Sequence, residues 1–186
     1  MRKIKLWTRQ HKNILEDLSK NNSYKVKERY IRKKFDSIAQ FHIDIYKWYR
    51  YKASDIVEPP EDVLYPIWCS TKTDLKLPLA GNHVMLELSV PEDEVILLDM
   101  LKWDYVVNHW YIPENKEDKR KYKKQLQRYG IKSESSIYME NFYPRLKKKM
   151  KKSWDRLFDK SVKLSDKKVA TIWEIRNEWI DNIEHS

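Results

Sequence analysis

The sequence predicts an α+β fold: one domain, with a central, mostly antiparallel sheet flanked by helices. Three observations predict it. Runs with the alternation of a strand stand at the start, middle and end of the chain (residues 4–8, 84–90 and 169–175), and helix-spaced segments fill the intervals. Strands and helices do not alternate one for one, which separates this order from a regular βαβ array. The 186 residues are 41% hydrophobic and include eight Trp, twelve Tyr and four Phe, enough material for a real core. A domain of this size hides roughly two-thirds of its unfolded surface.

Each element has its own signal. Ile4-Lys5-Leu6-Trp7-Thr8 alternates apolar and polar, as a half-buried strand does. Residues 11–20 read as a short helix with Ile14, Leu15 and Leu18 on one face, broken by Asn21-Asn22-Ser23. A longer helix follows, because Phe35, Ile38, Phe41, Ile45, Trp48 and Tyr49 recur at three- and four-residue steps; Pro59-Pro60 forbids its continuation. Residues 63–69 read as a strand, and 72–82, with Pro78 and Gly81, as a loop. Residues 84–90 form the clearest strand and end at Pro91. Residues 95–98 suggest a short strand or turn, and 100–110 a helix ended by Pro113.

Between 114 and 136 the composition shifts to Lys, Arg, Glu and Gln, a solvated helical insertion or a mobile segment. Residues 142–159 form a better helix, with Leu146, Met150, Trp154 and Leu157 as its apolar stripe. Residues 169–175 close the sheet. Strict alternation there puts Thr171, Trp173 and Ile175 on one face, and Ile172, Glu174 and Arg176 on the other.

Lys and Arg number 38 against 28 Asp and Glu, a formal +10. That excess favours an anionic partner, nucleic acid before a membrane surface, since no amphipathic stretch stands apart from the fold. The chain has two glycines and no Gly-rich phosphate loop, which excludes P-loop and Rossmann chemistry. Cys69 is alone, so no internal disulfide or Cys-based zinc site forms, and its apolar strand suits a buried, inert thiol. His83 and His109 are too isolated to argue a metal site. The chain's start turns polar within ten residues and no run nears 18 apolar residues, so the expectation is a cytoplasmic protein.

The apolar landmarks, taken in order, carry a resemblance. They are Leu6-Trp7-Thr8 with Gln10; Tyr65-Pro66-Ile67-Trp68; Leu86-Glu87-Leu88 with Val90-Pro91 and Asp93; Asn108 with Trp110-Tyr111 and Pro113; Trp154 with Phe158; and Trp173-Glu174-Ile175 with Glu178. The set resembles the bacterial DUF3841 family over nearly the whole chain, although Val169-Ala170 stands where Gln-Ala is expected. The family implies a fold and no activity.

A second similarity is to the layout of ADP-ribosyltransferases: a polar cluster ending the first strand, a hydroxyl residue on a middle strand, and a Glu on the last strand. It implies NAD as substrate, no metal, and a toxin or antiviral defence effector that modifies nucleic acid. RNA comes before DNA as acceptor, because its single-stranded bases are accessible without flipping. Under this layout Glu174 is the catalytic residue that activates the acceptor, with Glu178 as substitute. Thr8, Arg9 and Gln10 hold the cofactor's ribose and phosphates, Tyr24 or Trp68 stacks on a ring, and Ser70, beside Thr71, shapes the nicotinamide pocket.

Each assignment has an ordinary counterpart. Thr8 caps the first helix, Glu174 pairs with Arg176 or Lys168 in solvent, and the aromatics belong to the core. Physical signals point elsewhere too. Six of the eight residues from Arg145 to Lys152 are basic, broken only by Leu146 and Met150, so Arg145, Lys148, Lys149 and Lys152 present a cationic face to a phosphate backbone. The alternative function is therefore a non-catalytic nucleic-acid-binding or toxin–antitoxin interaction module, with an antitoxin protein as the second candidate partner. An enzyme needs Glu174 in a cleft with Arg9 and an aromatic; a binder needs only the lysine face.

Overall fold

The computed structural model describes residues 2–185, which fall into two compact units: residues 2–97 with 168–185, and Leu98–Lys167. The strands are β1 (Lys3–His11), β2 (Ser23–Tyr24), β3 (Ile67–Ser70), β4 (His83–Pro91), β5 (Ile96–Asp99), β6 (Lys168–Ile172), β7 (Ile175–Arg176) and β8 (Ile180–His185). Six of them form one sheet in the order β5-β6-β3-β1-β4-β8, and β2 pairs with β7 in a separate two-stranded sheet. The pairings β1–β3, β1–β4, β3–β6 and β4–β8 are all antiparallel. The α+β architecture, with the predicted strands joined in one sheet, is the one the sequence predicts.

The sheet's alternation sorts the first unit into layers. Leu6 lies opposite Leu88, Thr8 opposite Leu86, Ile67 opposite Ile172 and Cys69 opposite Ala170, and all face one core. Helix α1 (Ile14–Asn21) adds Ile14 and Leu18 to that core, where Tyr24, Ile175 and Trp179 also pack. Helices α2 (Glu28–Phe35) and α3 (Ala39–Ala53) pack together through Ile31, Ile43 and Tyr65. Tyr49 of α3 reaches the sheet's other face, where its hydroxyl bonds Thr171 Oγ1 at 2.6 Å and its ring meets Trp68 and Trp173.

The structure corrects several boundaries. Residues 8–11 do not open a helix: β1 runs through His11, because β4 pairs with it all the way to His11↔His83. The long helix marked from Phe35 begins at Ala39, because Asp36 takes a positive φ of 44° and turns the chain, and the separate helix α2 before that turn is not among the predicted elements. The strand predicted from residue 63 starts at Ile67, after Pro66, which has no N–H to give a ladder.

The closing strand also breaks. β6 stops at Ile172, and Ile175–Arg176 leave the main sheet to pair with Ser23–Tyr24. Trp173 stays on the Thr171 side, with its indole N–H donating to the Val57 carbonyl at 2.8 Å. Ile175 instead joins Ile172 in the core, so the predicted alternation fails after Trp173.

The second unit is helical: α4 (Met100–Val107), α5 (Lys116–Arg128), α6 (Glu134–Met139) and α7 (Pro144–Ser153), the last running into a 3-10 turn at Trp154–Leu157. Residues 114–136, predicted as a solvated or mobile insertion, hold α5, which is anchored by buried Tyr122 and Leu126. The α7 stripe of Leu146 and Met150, with Trp154 and Leu157, is buried as predicted. Around it, His109 stacks on Tyr138 at 4.1 Å, Tyr111 stacks on Tyr122 at 4.1 Å, and the Trp154 indole donates to the Trp110 carbonyl at 2.8 Å.

Candidate functional sites

Charge is not shared evenly between the units. Leu98–Lys167 holds 19 Lys and Arg against 10 Asp and Glu, a formal +9 of the chain's +10. Helix α7 concentrates part of it. Residues 145, 148, 149 and 152 recur at three- and four-residue steps and are exposed on one face, while Leu146 and Met150 turn into the core. Among the described residues Arg145, Lys148 and Lys152 have no carboxylate partner, so their charge is available to an external anion. Lys149 donates to Gln125 Oε1 at 3.0 Å and sits 5.5 and 5.4 Å from the ring centres of Tyr111 and Tyr122. Lys147 and Lys151 flank the face from 5.2 Å over Tyr138.

Helix α5 supplies a second cationic row. Its start is fixed by Asn115, whose side-chain oxygen accepts from the Asp118 N–H at 2.9 Å. Its end is fixed by Gly130, whose φ of +67° lets the Ile131 N–H reach back to the Leu126 carbonyl at 3.0 Å. Between these caps, Tyr122 and Leu126 face inward, and Lys121, Lys124 and Arg128 are exposed. An open cavity of about 580 Å³ is lined by these three, Gln125, Tyr129 and Lys149. The sequence reading of the basic face stopped at α7; the missed half had a signal, the three- and four-residue spacing of Lys121, Lys124 and Arg128.

Glu174 lies in the first unit, between β6 and β7. Its buried carboxylate accepts from Arg176 Nε at 2.7 Å, and Arg176 also pairs with Glu94 at 3.3 Å and stacks over Trp179. A polar concavity of about 510 Å³ opens there, lined by Glu174 and Arg176 with Asn21, Asn22, Ser23, Asn177 and Glu178. No aromatic ring and no part of Arg9 lines it.

The residues assigned to cofactor binding are dispersed. Thr8 is buried, donates to the Trp68 carbonyl at 2.9 Å and accepts from Gln10 Nε2 at 2.8 Å. Arg9 donates to the Pro78 carbonyl at 2.7 Å. Tyr24 is a core residue, and burial raises its phenol pKa. Trp68 packs against Tyr49, and Ser70 Oγ donates to the Leu75 carbonyl at 2.8 Å. Cys69 is buried, and burial pushes its thiol up to about 12. Among the described residues no three His, Cys, Asp or Glu side chains converge as a metal site would require, and no helix is long and apolar enough to cross a membrane.

One family model, described as Domain of unknown function (DUF3841), matches residues 5–181. No curated protein and no solved structure matches the chain.

Proposed function

The chain belongs to the DUF3841 family, and because that family is defined without an activity, we propose from the chain's own residues that it binds nucleic acid through the cationic face of α5 and α7. The observation that carries the reading is the concentration of +9 of the net charge in one 70-residue helical unit, with three α7 cations unpaired by carboxylates. A face of this kind gains affinity by releasing the counterions condensed on a phosphate backbone, and it reads charge rather than base sequence. The test is titration of fluorescently labelled RNA and DNA oligonucleotides. Lys148→Glu with Lys152→Glu, both exposed on α7, weakens binding at least tenfold while the melting temperature holds. Unchanged affinity returns the helix to a merely solvated surface.

A second reading keeps that nucleic acid as the acceptor of ADP-ribose from NAD. One observation favours it, against a Glu174 concavity that holds neither Arg9 nor an aromatic ring. The sheet order makes β1, β3 and β6 neighbours, so the end of β1, the start of β3 and the exit of β6 towards Glu174 lie at one end of the sheet. In the reaction the nicotinamide–ribose C–N bond breaks, an acceptor oxygen or nitrogen bonds C1′, its proton passes to Glu174, and nicotinamide leaves. Glu174→Gln then lowers transfer by about 10²–10⁴. A parent protein that neither binds nor consumes NAD ends this reading and leaves the binding module.

A further inference from the structure

Resting on the nucleic-acid reading above, we infer that the strand it selects is single-stranded, with an unpaired base stacked on Tyr129. Phosphate-binding cations alone do not distinguish a duplex from a single strand; an exposed ring among them does, because only an unstacked base offers its face. Tyr129 closes α5 at the rim of the cavity already described, and 55% of its surface is exposed.

Three cations of α5, Lys121, Lys124 and Arg128, line that cavity with Lys149 of α7. A chain of phosphates can therefore track between the helices while its bases turn towards the ring. Tyr143 meets Tyr129 in a T-shaped contact at 6.0 Å, which fixes the ring's tilt.

Three other tyrosines of this unit are used differently. Tyr111, Tyr122 and Tyr138 are buried and carry lysine ammonium groups over their rings, whereas among the described residues no cation sits over Tyr129. Phe142, which is 81% exposed and next in sequence to Tyr143, adds a second ring that burial does not explain.

The experiment compares a labelled twelve-nucleotide single strand with a hairpin duplex of matched length, on the parent protein and on Tyr129→Leu and Tyr129→Trp. The single strand binds the parent more tightly than the hairpin. Tyr129→Leu weakens the single strand by about tenfold, leaves the hairpin unchanged and leaves the salt slope unchanged, because no phosphate contact is lost; Tyr129→Trp restores the affinity. A hairpin bound as tightly as the single strand, or a Tyr129→Leu protein with full affinity, overturns the stacking proposal while the nucleic-acid reading stands. Failure of both oligonucleotides to bind overturns the two together, and binding to anionic phospholipid vesicles in that case assigns the face to a membrane surface.

Discussion

Thr171 shows how a single position can be placed from sequence while its partner cannot. Alternation along residues 169–173 puts Thr171 and Trp173 on the same side, and both meet Tyr49 there. That the partner would be a tyrosine 122 residues earlier is a tertiary fact with no local signal. The pair bonds at 2.6 Å with both residues buried, so removing one hydroxyl strands the other. Tyr49→Phe should lower stability by about 1–2 kcal/mol in urea unfolding, and adding Thr171→Val should recover most of the loss. Glu174 shows the opposite case. Its residue type marked it from sequence, but its place outside the strand and against Arg176 follows from Ile175–Arg176 pairing with Ser23–Tyr24.

At the scale of elements, periodicity located most helices and strands, and the misses are tertiary. β1 continues through His11 because β4 supplies a ladder partner, and α5 is ordered because two of its residues, Tyr122 and Leu126, find a core. The start of α4 at Met100 is legible from its spacing, but the partners that hold it are not. Asp99 caps it by accepting from the Leu101 N–H at 3.0 Å, and its other oxygen takes the N–H groups of Leu164 and Ser165 at 2.8 Å each. Burial pushes this carboxyl's pKa up, but the donors from Ser165, Leu164 and Leu101 outweigh it and hold the group below the usual aspartate range. A depressed carboxyl contributes stability that is full above its unfolded pKa of about 4 and is lost as pH falls through the folded value. Asp99→Asn should therefore cost about 2–3 kcal/mol at pH 7. Denaturant midpoints at pH 7 and pH 3 check the sign: the parent should lose more stability on acidification than the variant does.

For the whole molecule, the sequence disclosed the charge and the fold class but not how the charge is partitioned. The +10 is visible in composition, and the run from Arg145 to Lys152 is visible by eye. The grouping of α5 with α7, and the near neutrality of the sheet-bearing unit, depend on a unit boundary at Leu97 and Lys168 that no change in composition marks. The most direct test of the account is the slope of log binding constant against log salt for a single-stranded oligonucleotide. Three proteins are compared: the parent, a second-unit reversal (Lys124→Glu with Lys148→Glu) and a first-unit reversal (Lys33→Glu with Lys47→Glu), all at exposed positions. The account predicts a steep negative slope for the parent, flattened by about 0.7 for each phosphate contact removed in the second-unit variant and unchanged in the first-unit variant. Equal slopes in all three, or flattening confined to the first-unit variant, would contradict it.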